Sequence, residues 1–225
     1  MKAAVISAIY GDYDSPSVPP EQTVEADWIL VSDVPRDAPG WQVTVEPRPD
    51  LHPRTAAKYP KCLPQNYSDA DVLIWLDGNV RITSPVFLAW CIASLGDAPL
   101  AQHQGIFCKD IWQAVGESEA NPKYNGYPVR RQAEHYVASG FPADFGTWWT
   151  GLMIRRKDCL DFGTPWLQEN LDWTYQDQIS QPYVLWKMGM RPAPLDINWG
   201  MSDGPGNSIR GERFYLQEHT RGWGS

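Results

Sequence analysis

The run Val72-Leu73-Ile74-Trp75-Leu76 is apolar at every position and is closed by Asp77-Gly78-Asn79. It constrains the fold more than any other stretch of the chain. An unbroken apolar run of this length suits a strand buried on both faces, as at the centre of a parallel sheet covered by helices. In open α/β sheets, ligands gather where strands end in loops of this kind. Asp77 and Asn79, two residues apart across a tight turn, can direct oxygens at one hard cation, which would in turn hold phosphates. An ordinary Asp-Gly turn needs no metal, and the sequence leaves both readings open.

Around this strand, apolar and β-branched runs alternate with helical patterns. Strands are predicted at 3–9, 27–32, 41–46, 100–103 and 150–155. A short helix is predicted over 54–63, interrupted at Pro60. Ser84-Pro85 is expected to open a buried helix that runs to Leu95 and stops at Gly96. A further helix spans 129–139 and stops at Gly140. A helical turn lies around 166–171, and the second half of TYQDQISQPYVLWKM reads as helix. The stretch GESEANPKYNGYPV reads as loop, and Gly and Pro dominate from Met190 onwards. Strands alternating with helices predict one α/β domain over 1–225, whose loop-rich part at 190–225 closes the site.

Charge and cysteine usage exclude several classes. Nineteen Lys and Arg stand against 27 Asp and Glu, a formal net charge of −8. A general nucleic-acid binder would carry a basic face instead. No apolar run approaches the roughly 20 residues of a membrane helix, so no membrane insertion is expected. The start, MKAAVISAIYGDYD, turns polar too early for a signal peptide. Cys62, Cys91, Cys108 and Cys159 are widely spread without zinc-site spacing; reduced thiols and a cytoplasmic protein follow as the expectation. Dinucleotide, P-loop, serine-hydrolase and zincin motifs are absent from the sequence.

Several residues carry candidate chemistry, each with a bland reading beside it. Arg48, Arg54, Lys58 and Lys61 form a basic island in an acidic chain, suited to a diphosphate or simply to a solvated face. Asp177 fits a general base, or the end of a Thr174-x-x-Asp177 capping box, with Pro182 counting against one continuous helix. His103 follows a strand and fits a cleft or a core. His219 fits a late ligand on the C-terminal segment or an exposed tail. Trp148 and Trp149 fit an acceptor platform or core packing.

Taken together and in order, nine pieces resemble a known family. They are AIYGDYD at 8–14, DWILVSD at 27–33, Arg54-x-x-x-Lys58, IWLDGN at 74–79, AQH at 101–103, Gln132-x-x-x-Tyr136-x-x-x-Gly140, TGLMIRR at 150–156, Trp166-x-x-Glu169 and DQISQPYVLWK at 177–187. The family is the glycosyltransferase-like one of formerly unknown function that includes plant mucilage-related and turgor-defect proteins with bacterial and phage members.

The resemblance implies a GT-A-type fold, a Rossmann-type three-layer sandwich with a mostly parallel, mixed central sheet. It implies a nucleoside diphosphate sugar as donor and a divalent ion, Mn²⁺ or Mg²⁺. Asp77 matches the first position of the family's Asp-x-Asp-like metal motif, Asn79 stands where a second Asp is usual, and His219 matches a late metal ligand. Tyr10 and Asp12 would lie against the nucleoside, with Arg54, Lys58, Asp77 and Gly78 on the rest of the donor. His103, Trp148 and Trp149 would face the acceptor. Asp177 would deprotonate the acceptor hydroxyl if the reaction inverts, and retention needs no such base. The acceptor is a carbohydrate by default; a hydroxymethylated DNA base in a phage setting is not favoured and would need a basic groove around Arg130, Arg131, Arg155 and Arg156. Plant members carry membrane anchors upstream, so a soluble, minimal version is expected here. The same residues leave a metal-dependent hydrolase or a non-catalytic carbohydrate-binding protein as alternatives.

Overall fold

The computed structural model describes residues 1–105, 108–159, 161–201 and 209–219. Of the predicted closing segment, positions 202–208 and 220–225 lie outside the described residues. In chain order the elements are β1 (Ala3–Ile9), β2 (Ala26–Ser32), β3 (Gln42–Val45), α1 (Pro53–Ala56), α2 (Lys58–Cys62), β4 (Val72–Leu76), β5 (Val80–Ile82) and α3 (Phe87–Leu95). There follow β6 (Leu100–Gln104), α4 (Ile111–Glu119), α5 (Val129–Ala138), β7 (Trp148–Arg156), α6 (Gly163–Asp172), α7 (Asp177–Lys187), β8 (Ala193–Pro194), β9 (Gly200–Met201), β10 (Ile209–Arg210) and β11 (Phe214–Leu216).

Seven strands form the central sheet in the order β3-β2-β1-β4-β7-β6-β8. Neighbours are parallel except that β7 runs antiparallel to both β4 and β6. The chain winds outward from β1 through β2 to β3, then returns to place β4 on the other side of β1. That reversal opens a crevice at the carboxyl ends of β1 and β4, the position where such sheets receive ligands.

Two-residue periodicity divides the apolar side chains between two cores. Ala4, Ile6 and Ala8 of β1, with Leu73 and Trp75 of β4, face one layer, which also holds residues of α4, α5, α6 and α7. Val5, Ile74 and Leu76 face the other, against Phe87, Leu88 and Cys91 of α3 and Phe214 of β11. The second layer includes a small antiparallel sheet, β5-β11-β10-β9, which the sequence reading leaves as loop. No described helix is long and apolar enough to cross a membrane.

Local differences from expectation have physical causes. The helix expected over 54–63 is two short helices divided at Ala57, not at Pro60. Pro60 sits in the first turn of α2, where an amide N–H has no intrahelical acceptor to lose. Helix α4 lies where the sequence reading gives no element. It is capped by the Asp110 carboxylate, which accepts from Gln113 N at 2.8 Å. Helix α7 is continuous through Pro182 because Ile179, Tyr183, Val184 and Leu185 are buried in the core. Packing of that face outweighs the bond the proline cannot donate.

Gly163 opens α6 against the carboxyl end of α2, and a Cβ there would fall on the carbonyl oxygen of Cys62. Gly163→Ala is therefore expected to cost about 1–3 kcal/mol by overpacking against backbone. The measurement is a denaturant melt of purified protein, and an unchanged midpoint would show that α2 yields freely.

Candidate active site

The crevice between β1 and β4 holds a cavity of about 180 Å³. Its inner wall is charged. Lys58 and Lys61 are three residues apart, which puts them on one face of α2. Both ammonium groups reach Asp177 Oδ2, at 2.6 Å from Lys58 and 2.8 Å from Lys61. Lys61 also donates to Asp77 Oδ1 at 3.1 Å and to Thr150 Oγ1 at 3.2 Å. Trp75 Nε1 donates to the same Asp77 oxygen at 2.8 Å. Thus α2, β4, β7 and the first residue of α7 meet through one ion cluster.

Asp177 takes no part in a capping box. The cap of α7 is Gln176, whose side chain accepts from Gln178 N, while Thr174 Oγ1 donates to Gln132. Asp177 is 5% exposed. Burial alone would favour its neutral form, but Lys58 and Lys61 overcome that and hold the carboxyl well below the usual carboxylate range. The same carboxylates outweigh burial at Lys61 and raise its ammonium pKa. Asp177 Oδ1 is buried with no hydrogen-bond partner among the described residues.

Arg155 fixes the carboxyl end of α2. It is fully buried on β7, and its Nη2 donates to Lys61 O at 2.7 Å. A DNA-base acceptor, not favoured from the sequence, would need it in a basic groove with Arg130, Arg131 and Arg156, and a fully buried guanidinium cannot line a groove. Arg156 bonds Gly96 O, and Arg130 pairs with Glu119 at 2.5 Å, so these arginines are committed to different elements.

A second pair of cations faces the cavity from outside the cluster. Arg54 Nη1 donates to the Tyr175 hydroxyl at 3.3 Å, and its guanidinium lies 4.6 Å from the Tyr13 ring centre. Tyr175 stacks on His52 and donates to Lys123 O at 2.7 Å. Lys123 is half-buried beside the Tyr124 ring. Burial and the neighbouring Lys58 and Arg54 push its pKa down to about 7. Neither Arg54 nor Lys123 has an ion-pair partner among the described residues.

The sequence-predicted residues divide clearly. Tyr10, Arg54, Lys58, Asp77, Gly78, Asp177 and His219 all line the cavity. Tyr10 turns its hydroxyl outward to Glu46 O at 3.0 Å, and burial raises its pKa to about 12. Asp12 is exposed, 3.9 Å from Arg36, and does not line the cavity. His103 donates from Nδ1 to Leu195 O at 2.8 Å and packs on Trp199. Trp148 is buried against Phe145, and Trp149 packs on Phe214 and Trp199. None of these last three lines the cavity.

The expected metal ligands do not fit a divalent ion as they stand. Asn79 lies outside the cavity; its Nδ2 donates to Gln217 O at 3.2 Å, tying the turn to β11. His219 is bound through Nδ1 to Asp14 Oδ1 at 2.9 Å. Asp77 Oδ1 already accepts from an ammonium and an indole. Among the described residues, no group of three His, Cys, Asp or Glu side chains is placed to hold a metal ion.

The sequence reading names Lys61 only as part of the basic island and leaves Lys123, Thr150 and Tyr175 out of the site. Lys61 was legible as the next same-face residue of the basic island. Lys123 sits in a stretch with no periodicity and carried no signal. Compared with known proteins, the chain matches no protein-family model and no curated protein at a significant level.

Proposed function

We propose that the chain is a nucleotide-sugar-dependent glycosyltransferase of the GT-A type, moving a sugar from a nucleoside diphosphate to a hydroxyl acceptor, a carbohydrate by default. One observation carries the reading. In a chain of net charge −8, four cationic side chains converge on one cavity at the carboxyl edge of β1 and β4. Aromatic rings of Tyr13, Tyr175 and Tyr124 border them and suit the flat faces of a base or sugar.

The chemistry needs that charge. As the C1–O bond to the diphosphate breaks, the departing oxygen takes the bonding pair. The acceptor oxygen bonds to C1 and passes its proton to the departing diphosphate, whose oxygen has gained that pair. Fixed cations beside the departing oxygen stabilise the developing charge without reorganising. Asp177, held ionised by two ammonium groups, is a weak proton acceptor; its role in this reading is to position Lys58 and Lys61.

The test is incubation with a panel of nucleotide sugars. Release of nucleoside diphosphate that rises with added acceptor is the expected result. Release insensitive to acceptors would make the protein a hydrolase, and absence of release would remove the enzymatic reading.

The pH response is set by Lys123. Its free-state pKa is about 7, and a bound anion raises that value, so binding above neutrality takes up a proton. Affinity for a nucleoside diphosphate is expected to fall as pH rises from about 7 to 9, by up to roughly tenfold per unit. Lys123→Met should flatten the profile in calorimetry, and an equally steep profile in that variant would assign the proton elsewhere.

A further inference from the structure

We propose that the Lys61 ammonium stands where a divalent metal would otherwise bridge the site, so that a diphosphate is neutralised by side-chain charge alone. The inference deepens the reading above and rests on it for the identity of the ligand.

An ammonium has three N–H groups. Asp77, Asp177 and Thr150 account for all three, at 3.1, 2.8 and 3.2 Å. Lys61 therefore has nothing left to give a ligand. It works as a fixed point charge joining the carboxylate after β4 to the carboxylate that begins α7. A metal ion bridging the two oxygens it holds, Asp77 Oδ1 and Asp177 Oδ2, would have to displace it, and Arg155 holds the Lys61 carbonyl from behind.

Charge counting gives the ligand class. Lys58 and Lys61 balance Asp77 and Asp177. Arg54 and Lys123 remain over, both on the cavity and both without a carboxylate partner among the described residues. Asp14 faces the same space from beside Gly78, but it is bound to His219. Four cations thus face three carboxylates on this cavity, and Arg54 and Lys123, the two without an ion pair, are the ones placed to meet a bridging diphosphate, whose charge holds Lys123 protonated. A metal would add charge that the cavity already supplies.

Mn²⁺ alone is the first probe, titrated into the wild-type protein by calorimetry. No saturable site tighter than about 1 mM is expected; one-to-one binding that Asp77→Asn abolishes would overturn the proposal. Lys61→Ala, verified as folded by circular dichroism, should bind Mn²⁺ at least tenfold more tightly than wild type, because Asp77 and Asp177 then lose the one cation they share and Lys58 reaches only Asp177. Equal Mn²⁺ affinity in the two proteins would overturn the proposal. If Lys61→Ala does not fold, the wild-type titration decides. Inorganic pyrophosphate is the second probe, titrated in excess EDTA. Binding is expected, and its absence would overturn metal-free neutralisation. Pyrophosphate binding in EDTA without turnover of any nucleotide sugar would remove the transferase reading and leave this one standing.

Discussion

Asp177→Ala is expected to destabilise the protein by about 3–5 kcal/mol, because it strands the buried Lys58 ammonium beside Lys61, which keeps only Asp77 as a counter-charge. For a chain of this length that is a fall in melting temperature of roughly 6–20 °C. Lys58 and Lys61 are 8% and 4% exposed, so water cannot replace the lost carboxylate. Asp177→Asn should lie between wild type and alanine, since it keeps an acceptor but not the charge. Adding Lys58→Met to Asp177→Asn should recover much of the loss, because one fewer cation then lacks a counter-charge. The acid response has the corresponding sign. The Asp177 carboxyl is held below its unfolded value, so its contribution is complete above the ordinary carboxylate range and fades as pH falls beneath it. Denaturant melts at neutral pH and in acid check both statements. A loss in Asp177→Ala below about 1 kcal/mol would show that the lysines reach water after all.

The parts of the fold that were readable in the sequence are those whose cause is local. Strands β1, β4 and β7 are apolar runs, and their burial follows from the period of the pleat. Gly96 and Gly140 end helices with positive φ, as their positions announce. Asp77 was readable because a polar turn after a buried strand has few places to go. The ion cluster was not readable as a cluster: Lys58 and Asp177 touch across 119 positions of sequence, and Lys61 and Asp177 across 116. The capping box at Thr174 and the base at Asp177 could not be separated by spacing. The deciding fact is which way one carboxylate turns, and that depends on α2. The tandem tryptophans show the converse. Trp148 and Trp149 lie on opposite faces of β7 by strict alternation, one against Phe145 and the other against Phe214. A single platform would need them on one face, and the strand assignment already forbids it.

Lys58→Met separates binding from stability in the same cluster. Lys61 and Thr150 still hold Asp177 Oδ2 in that variant, so no carboxylate is left alone. A buried charge is also removed, which offsets the lost ion pair; the net change in stability is expected within about 1 kcal/mol. The ligand has no such substitute. Of the lysines in the cluster, Lys58 is the one with N–H groups to spare, and a charge-assisted bond to phosphate is worth about 1.5–3 kcal/mol. Affinity for a nucleoside diphosphate should therefore fall roughly 10- to 150-fold. Lys109→Ala, on an exposed lysine that does not line the cavity, should leave it unchanged. Calorimetry on the two variants, with melts beside it, gives both readings from the same preparations. If Lys58→Met lost stability in full while keeping its affinity within about twofold, the lysine would serve the fold alone and the anion would have to sit on Arg54 and Lys123 without it.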